Sequence, residues 1–230
     1  MRPIAGGVCS TCGQRLISPY AFTAEDGQPL CGLCRRLAPP FAKAVAYGSY
    51  DGGLRELIHL LKYEQVRPAA GVLGRMLHEA IASLAGLPND VVVVPVPLHR
   101  KKLRQRGFNQ VELIARAALK LDPQPRQLCS DALERQRETK SQIGLTSHQR
   151  RENMHGAFVV AAPAEISGRE LLLVDDVYTT GTTVSECARI LRRAGASKVW
   201  VATVARSLKT NTTFAEMNET ENSVAMAAAG

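Results

Sequence analysis

The stretch Leu171-Leu172-Leu173-Val174-Asp175-Asp176-Val177-Tyr178-Thr179-Thr180-Gly181-Thr182-Thr183 leaves this chain few folds to choose from. Four large apolar residues in a row, too few for a helix, predict a strand buried on both faces, as in a parallel sheet. Two carboxylates follow where such a strand leaves the sheet, then four threonines around one glycine, then a helix. Thr183-x-x-Glu186 has the pattern of a capping box, Val184, Cys187, Ala188 and Leu191 supply an apolar face, and Gly195 a stop. Strand, loop and helix in this order aim free helix N–H groups and several hydroxyls at one small volume. That is a phosphate cradle at the carboxyl ends of the strands. Asp175 and Asp176 would repel the phosphate, so they suit sugar hydroxyls or a cation that accompanies it. Neither a G-x-x-x-x-G-K-[ST] loop nor a G-x-G-x-x-G turn after a strand occurs.

At 230 residues and 45% apolar, the chain has room for one main domain and a small appendage. No apolar run approaches the ~20 residues of a membrane span, so membrane insertion is not expected. The N-terminus lacks the apolar core of a secretory signal, and a cytoplasmic protein is expected. The charge is uneven. Residues 99–155 carry 13 Lys/Arg against 6 Asp/Glu, which accounts for +7 of the net +8. Such an excess fits a polyanion partner or a polyphosphate substrate, or else a solvated basic face.

Cys9-x-x-Cys12 and Cys31-x-x-Cys34 are two knuckles separated by 18 residues. Each aims two thiolates at one point, and the two together close a tetrahedral four-sulfur site. Disulfides compete with this reading, but in a cytoplasmic chain structural zinc is favoured, held by Cys9, Cys12, Cys31 and Cys34. Residues 1–40 then form the zinc-binding module, ended by Pro39-Pro40, with the main domain over 41–207. Cys129 and Cys187 lie in apolar surroundings and read as core.

Within the main domain, Ala44 to Tyr50 reads as a strand, about Leu54 to Tyr63 as a helix, and about Ala69 to Leu84 as an amphipathic helix. Lys62-Tyr63, near Tyr47 and Tyr50, reads as a capped helix end with packed rings in preference to a nucleotide contact. Val91–Val94 is a second buried strand. It runs through Pro95-Val96-Pro97 into His99-Arg100-Lys101-Lys102-Leu103-Arg104-Gln105-Arg106-Gly107-Phe108-Asn109-Gln110. Cations at the end of a parallel strand lie where anions bind in open α/β sheets. Asn109-x-x-Glu112 opens a helix with Val111, Ile114, Ala115, Ala118 and Leu119 on its apolar side. Strands are expected around 127–133 and 157–160, and the last strand, Val199–Ala205, ends the sheet. Residues 208–230 are small and polar and read as a disordered tail. The fold class is α/β, a mostly parallel sheet with flanking helices. Right-handed crossovers bring Asp175, Thr179–Thr183 and Arg100–Arg106 to one sheet edge.

The run of apolar residues, two acids and T-T-G-x-T resembles the signature of the type I phosphoribosyltransferases. That resemblance implies that Asp175 and Asp176 hold the ribose hydroxyls of phosphoribosyl pyrophosphate. It also implies that Thr179, Thr180, Gly181, Thr182 and Thr183 hold the 5′-phosphate, with magnesium accompanying the ligand. Arg104 or Arg106 would meet the pyrophosphate, and the polar segment 134–156 is either a linker or, by the same resemblance, a closing hood. V-P-V-P-L-H-R-K-K-L-R-Q-R-G-F-N-Q, joined to the cysteine pairs and to V-D-D-V-Y-T-T-G-T-T, is similar to the ComF family. Those phosphoribosyltransferase-like proteins are associated with natural DNA transformation. The likeness covers roughly residues 5–208, Lys62-Tyr63 and Gln142-x-x-Leu145-x-x-x-x-Arg150-x-x-Asn153 included. It implies a DNA-uptake protein that binds single-stranded DNA, and the basic excess over residues 99–155 makes Arg100, Lys101, Lys102, Arg104 and Arg106 the expected contacts. It also implies other DNA-uptake proteins, such as a helicase, as partners. A working phosphoribosyltransferase is the alternative, and a sugar-phosphate sensor without chemistry a third. No residue pattern marks an acceptor pocket or a catalytic residue, and an N-terminal cysteine nucleophile for releasing ammonia is missing.

Overall fold

The computed structural model describes residues 7–16, 27–138 and 147–208. The Cys31 knuckle opens a short helix α1 (Gly32–Arg36), followed by β1 (Ala44–Ser49), α2 (Gly52–Tyr63) and α3 (Ala69–Ala82). Next come β2 (Val92–Pro95), α4 (Arg100–Arg106), α5 (Gln110–Leu119), β3 (Leu133–Arg135) and α6 (Ser147–Met154). β4 (Phe158–Val160), α7 (Pro163–Ile166), β5 (Glu170–Tyr178), α8 (Thr182–Arg193) and β6 (Lys198–Arg206) complete the described order. The predicted tail lies outside the described residues, apart from Leu208.

The main sheet is parallel throughout, in the order β1-β6-β5-β2. The last strand among the described residues is therefore interior, because β5 and β1 both pair with β6. β6 and β5 are long enough to pair from Glu170–Lys198 to Tyr178–Arg206, so the acids lie inside the strand. This corrects the expectation that the strand ends before them. One face of the sheet, through Leu172, Val174, Ala202 and Val204, packs on α2, α3 and α5. α3 and α5 approach closely: a Cβ on Gly74 would lie 2.5 Å from the Ala117 Cβ. The other face, through Leu171, Leu173 and Val201, packs on α8, on the antiparallel β3-β4 pair and on the cysteine knuckles. Cys9, Cys12 and Cys34 thus belong to the same apolar cluster as the sheet, and the Ala44 N–H bonds the Thr11 carbonyl at 2.7 Å. The expected strand near 127–133 is mostly a loop. It touches the sheet once, at Val93–Leu128, and becomes β3 only at Leu133.

Candidate functional site

β2 and β5 are neighbours, and their carboxyl ends deliver α4, the two acids and the threonine loop to one edge. Side chains alternate along a strand, so Asp175 and Asp176 leave β5 on opposite faces. Asp176 goes to the α2/α5 side and is 5% exposed. Its Oδ1 accepts from the Lys62 Nζ at 2.8 Å and its Oδ2 from the Gln110 Nε2 at 2.7 Å. Lys62, read from sequence as a helix cap, is instead an ion-pair partner 114 residues away in the chain. Burial opposes the Lys62 ammonium, but the Asp176 carboxylate outweighs it and holds the lysine above its ordinary value. Asp175 goes to the α8 side and takes the Asp176 N–H at 2.8 Å. Burial, and then the charge of Asp176, push its carboxyl up to about 7.

The loop after β5 turns on Gly181, at φ +77°. A Cβ there would lie 2.2 Å from the Tyr178 hydroxyl oxygen, so only glycine fits over that ring. Gly181 is also the N-cap of α8, with no side-chain capping bond. The expected capping box does not form, because Glu186 is turned away: it accepts from the Gly156 N–H at 2.9 Å and from Arg189 at 2.6 Å. Gly181 has no side chain to cap α8, and beside the helix's first turn the Thr180 and Thr182 hydroxyls bond each other at 2.8 Å. An anion suits that position.

The cationic run folds as α4, with His99 as N-cap and Gly107 closing the helix at φ +78°. Its first two cations are already paired, Arg100 with Glu134 at 2.5 Å and Lys101 with Glu138 at 3.4 Å. Lys102 and Arg104 form no ion pair among the described residues, and Arg106 bonds the Gln110 side chain, which in turn holds Asp176. Burial first, then the charges of Arg135 and Arg106, lower the Lys102 ammonium. Arg135, Arg106 and Lys62 all lie near enough to Lys102 for their charges to act on it, and of these Lys62 is paired with Asp176, so cations gather at this edge as an anion site requires. The contributions of Lys62, Gln110 and Arg135 are invisible locally, since each comes from a different element.

The four cysteine sulfurs lie within 4.8 Å of one another and all are free thiols. A tetrahedral centre with Zn–S of about 2.3 Å separates its sulfurs by about 3.8 Å, and Cys12 Sγ stands 3.7 Å from Cys31 Sγ. The donor set fits a thiophilic metal. Hydrogen bonding from Cys12 and Cys9, then burial, drive the Cys34 thiol far above its ordinary value, a conflict that a shared cation removes. Arg206, 4% exposed, reaches into this cluster. It donates to the Cys12 carbonyl at 2.5 Å, to Gln14 Oε1 at 3.1 Å and to Cys12 Sγ at 3.7 Å. Its guanidinium also lies 4.0 Å from the centre of the Tyr178 ring, the ring on which Gly181 rests. One buried side chain therefore joins the cysteine cluster to the threonine loop.

A four-cysteine cluster packed on a parallel α/β sheet with an acid-acid-threonine edge defines a phosphoribosyltransferase-type fold with an N-terminal four-cysteine cluster. The profile of the phosphoribosyl transferase domain matches residues 114–217. The chain is 34% identical to the DNA utilization protein YhgH of Escherichia coli K12 over 217 residues, 88% of this chain and 91% of that protein. It is 30% identical to competence protein F of Haemophilus influenzae, over 87% of this chain and 91% of that one. Competence protein ComFC of Bacillus subtilis is 29% identical, over 90% and 81%. The chain belongs to this ComF family of competence and DNA-utilization proteins. Among solved structures, the glutamine phosphoribosylpyrophosphate amidotransferase of B. subtilis aligns at a TM-score of 0.40 and 21% identity, over 66% of this chain and 33% of that one. No helix among the described residues is long and apolar enough to cross a membrane.

Proposed function

We propose that this protein binds phosphoribosyl pyrophosphate, or a related sugar phosphate, with magnesium, and that it binds single-stranded DNA along α4. The observation that carries the reading is the meeting of three features at the carboxyl ends of β2 and β5. These are the N-terminus of α8 with its threonines, the acid pair, and the cations of α4. In this reading Thr179–Thr183 take the 5′-phosphate, and Asp175 and Asp176 take the ribose hydroxyls. Asp176 would exchange its bond from Gln110 or Lys62 for one from the sugar. Arg104 and Arg106, joined by Lys102, meet the pyrophosphate. Magnesium would neutralise part of the pyrophosphate charge; the protein's share is to position the ligand and exclude water. Residues 1–40 form a zinc module in which Cys9, Cys12, Cys31 and Cys34 fill all coordination positions, so its role is structural.

The DNA half of the reading is tested by fluorescence anisotropy of a labelled oligonucleotide at two salt concentrations. Affinity should fall with salt at a log–log slope of about −0.7 for each phosphate neutralised. Lys102→Ala with Arg104→Ala should reduce both affinity and slope. Since Arg100 and Lys101 are paired to Glu134 and Glu138, their substitution should matter less. An oligonucleotide left unbound at low salt and micromolar protein would remove this half and leave a sugar-phosphate protein alone.

A further inference from the structure

Phe108 and Phe158, the aromatics that sequence places in the basic region, are 8% and 2% exposed and offer no ring to a ligand. Tyr63 does. It is 67% exposed, the one exposed aromatic among the described residues, and it sits at the last position of α2. The fold sets it against the C-terminal end of α4: the Arg106 guanidinium lies over its ring, 5.6 Å from the centroid. The ring is also braced from within its own helix. His59 stands 5.1 Å away at 57°, and its Nε2 is 3.2 Å from the Tyr50 hydroxyl. Arg106 is fixed in turn by Gln110, and Gln110 by the buried Asp176.

We propose that Tyr63 is a stacking platform for an unpaired nucleobase of a strand whose phosphates lie on α4. The proposal deepens the nucleic-acid reading above and rests on it. An exposed tyrosine is ordinary by itself. This one is ordered by an arginine and a histidine ring and adjoins a cationic helix, on which Leu103, one turn before Arg106, is itself 41% exposed. Apolar surface next to unneutralised cations matches a nucleotide, which presents a π-face and a phosphate together. α4 is about 10 Å long at 1.5 Å per residue, long enough to lie along a short stretch of strand backbone. A strand lying on it therefore delivers a base to its end, where Tyr63 stands. Arg106 over one side of the ring adds a cation–π contact, which strengthens as the base excludes water.

The test uses the full chain and a short oligothymidine carrying 2-aminopurine at one position, with an abasic version of the same strand and free 2-aminopurine nucleotide as further probes. Wild type should quench the 2-aminopurine of the strand. Tyr63→Ala should abolish the quenching and weaken strand binding by about 5- to 150-fold, the range for loss of one base–aromatic stack. The salt slope should not change, since no phosphate contact is lost. Tyr63→Phe should behave as wild type, and the abasic strand should bind wild type and Tyr63→Ala alike. Equal affinity and equal quenching in wild type and Tyr63→Ala would overturn the platform while leaving phosphate binding on α4 intact. Quenching of the free nucleotide as strong as that of the strand would overturn the assignment to a strand. Absence of any strand binding by wild type would instead overturn the nucleic-acid reading itself.

Discussion

Replacing Arg206 with methionine separates two roles that the fold has fused into one side chain. The guanidinium is buried, and no carboxylate lies within ion-pair reach of it among the described residues. Its bonds to the Cys12 carbonyl and Gln14 contribute about 1.5–3 kcal/mol each as charge-assisted hydrogen bonds. The ring contact with Tyr178 at 4.0 Å adds about 2 kcal/mol where desolvated. Against these stands a desolvation cost of several kcal/mol. Without further negative charge the two sides nearly cancel, and methionine would change stability by about 1 kcal/mol or less. Four thiolates around a divalent metal carry a net negative charge, and Arg206 touches one of them. In metal-loaded protein the substitution therefore breaks a buried charge pair and should cost about 3–5 kcal/mol. The assay is urea unfolding of wild type and Arg206→Met, each with zinc and with chelator. It is followed by the fluorescence of Trp200, the only tryptophan in the chain, buried on β6. An equal destabilisation in both metal states would refute the reasoning, because it would mean that Arg206 does not sense the cluster's charge.

The remaining predictions concern the loop and the acids. Gly181→Ala places a methyl group against the Tyr178 hydroxyl at φ +77°; it should cost at least about 1–2 kcal/mol from the left-handed backbone alone, read in the same unfolding assay. Lys62→Met leaves Asp176 with only Gln110, and should cost about 3–5 kcal/mol as a buried pair broken on one side. The pH dependence follows from Asp175. Its folded pKa is raised from 3.8 to about 7, so between those values the folded state holds a proton that the unfolded state has lost. Stability should fall as pH rises through that window, and wild type should lose stability relative to Asp175→Asn across it. Unfolding free energies measured from pH 4 to 8 check the sign; parallel curves would contradict it.

Much of this was legible in the sequence because the informative segments are local. Strands buried on both faces read as unbroken apolar runs, so Val92–Pro95 and the start of β5 were visible. The two Cys-x-x-Cys knuckles and the threonine–glycine loop were equally plain, since spacing alone determines what each can gather. What sequence missed depends on pairing across distance. Lys62 and Gln110 find Asp176 only after α2 and α5 cover one face of the sheet, and nothing beside either residue announces it. The capping box at Thr183 failed because Glu186 had stronger demands on it, a backbone N–H from Gly156 and the guanidinium of Arg189. A nucleotide contact at Tyr63 ranked below a capped helix end with packed rings because Tyr63 lies far from α4 in the chain, whereas in the fold its ring is exposed beside Arg106 and the aromatics within the basic region pack inward.

Calorimetric titration of phosphoribosyl pyrophosphate with magnesium into wild type and into Thr180→Val/Thr182→Val tests the central claim most directly. Both threonines are half-exposed and their hydroxyls face each other beside the N-terminus of α8, so the double change removes donors without opening the core. The account predicts saturable binding to wild type and a clear loss in the variant, about 1 kcal/mol or more for each hydroxyl bond. Lys102→Ala/Arg104→Ala should also weaken this ligand, through its pyrophosphate. Equal heats and affinities for wild type and the threonine variant would place the ligand elsewhere, and no heat with wild type would contradict the sugar-phosphate site altogether.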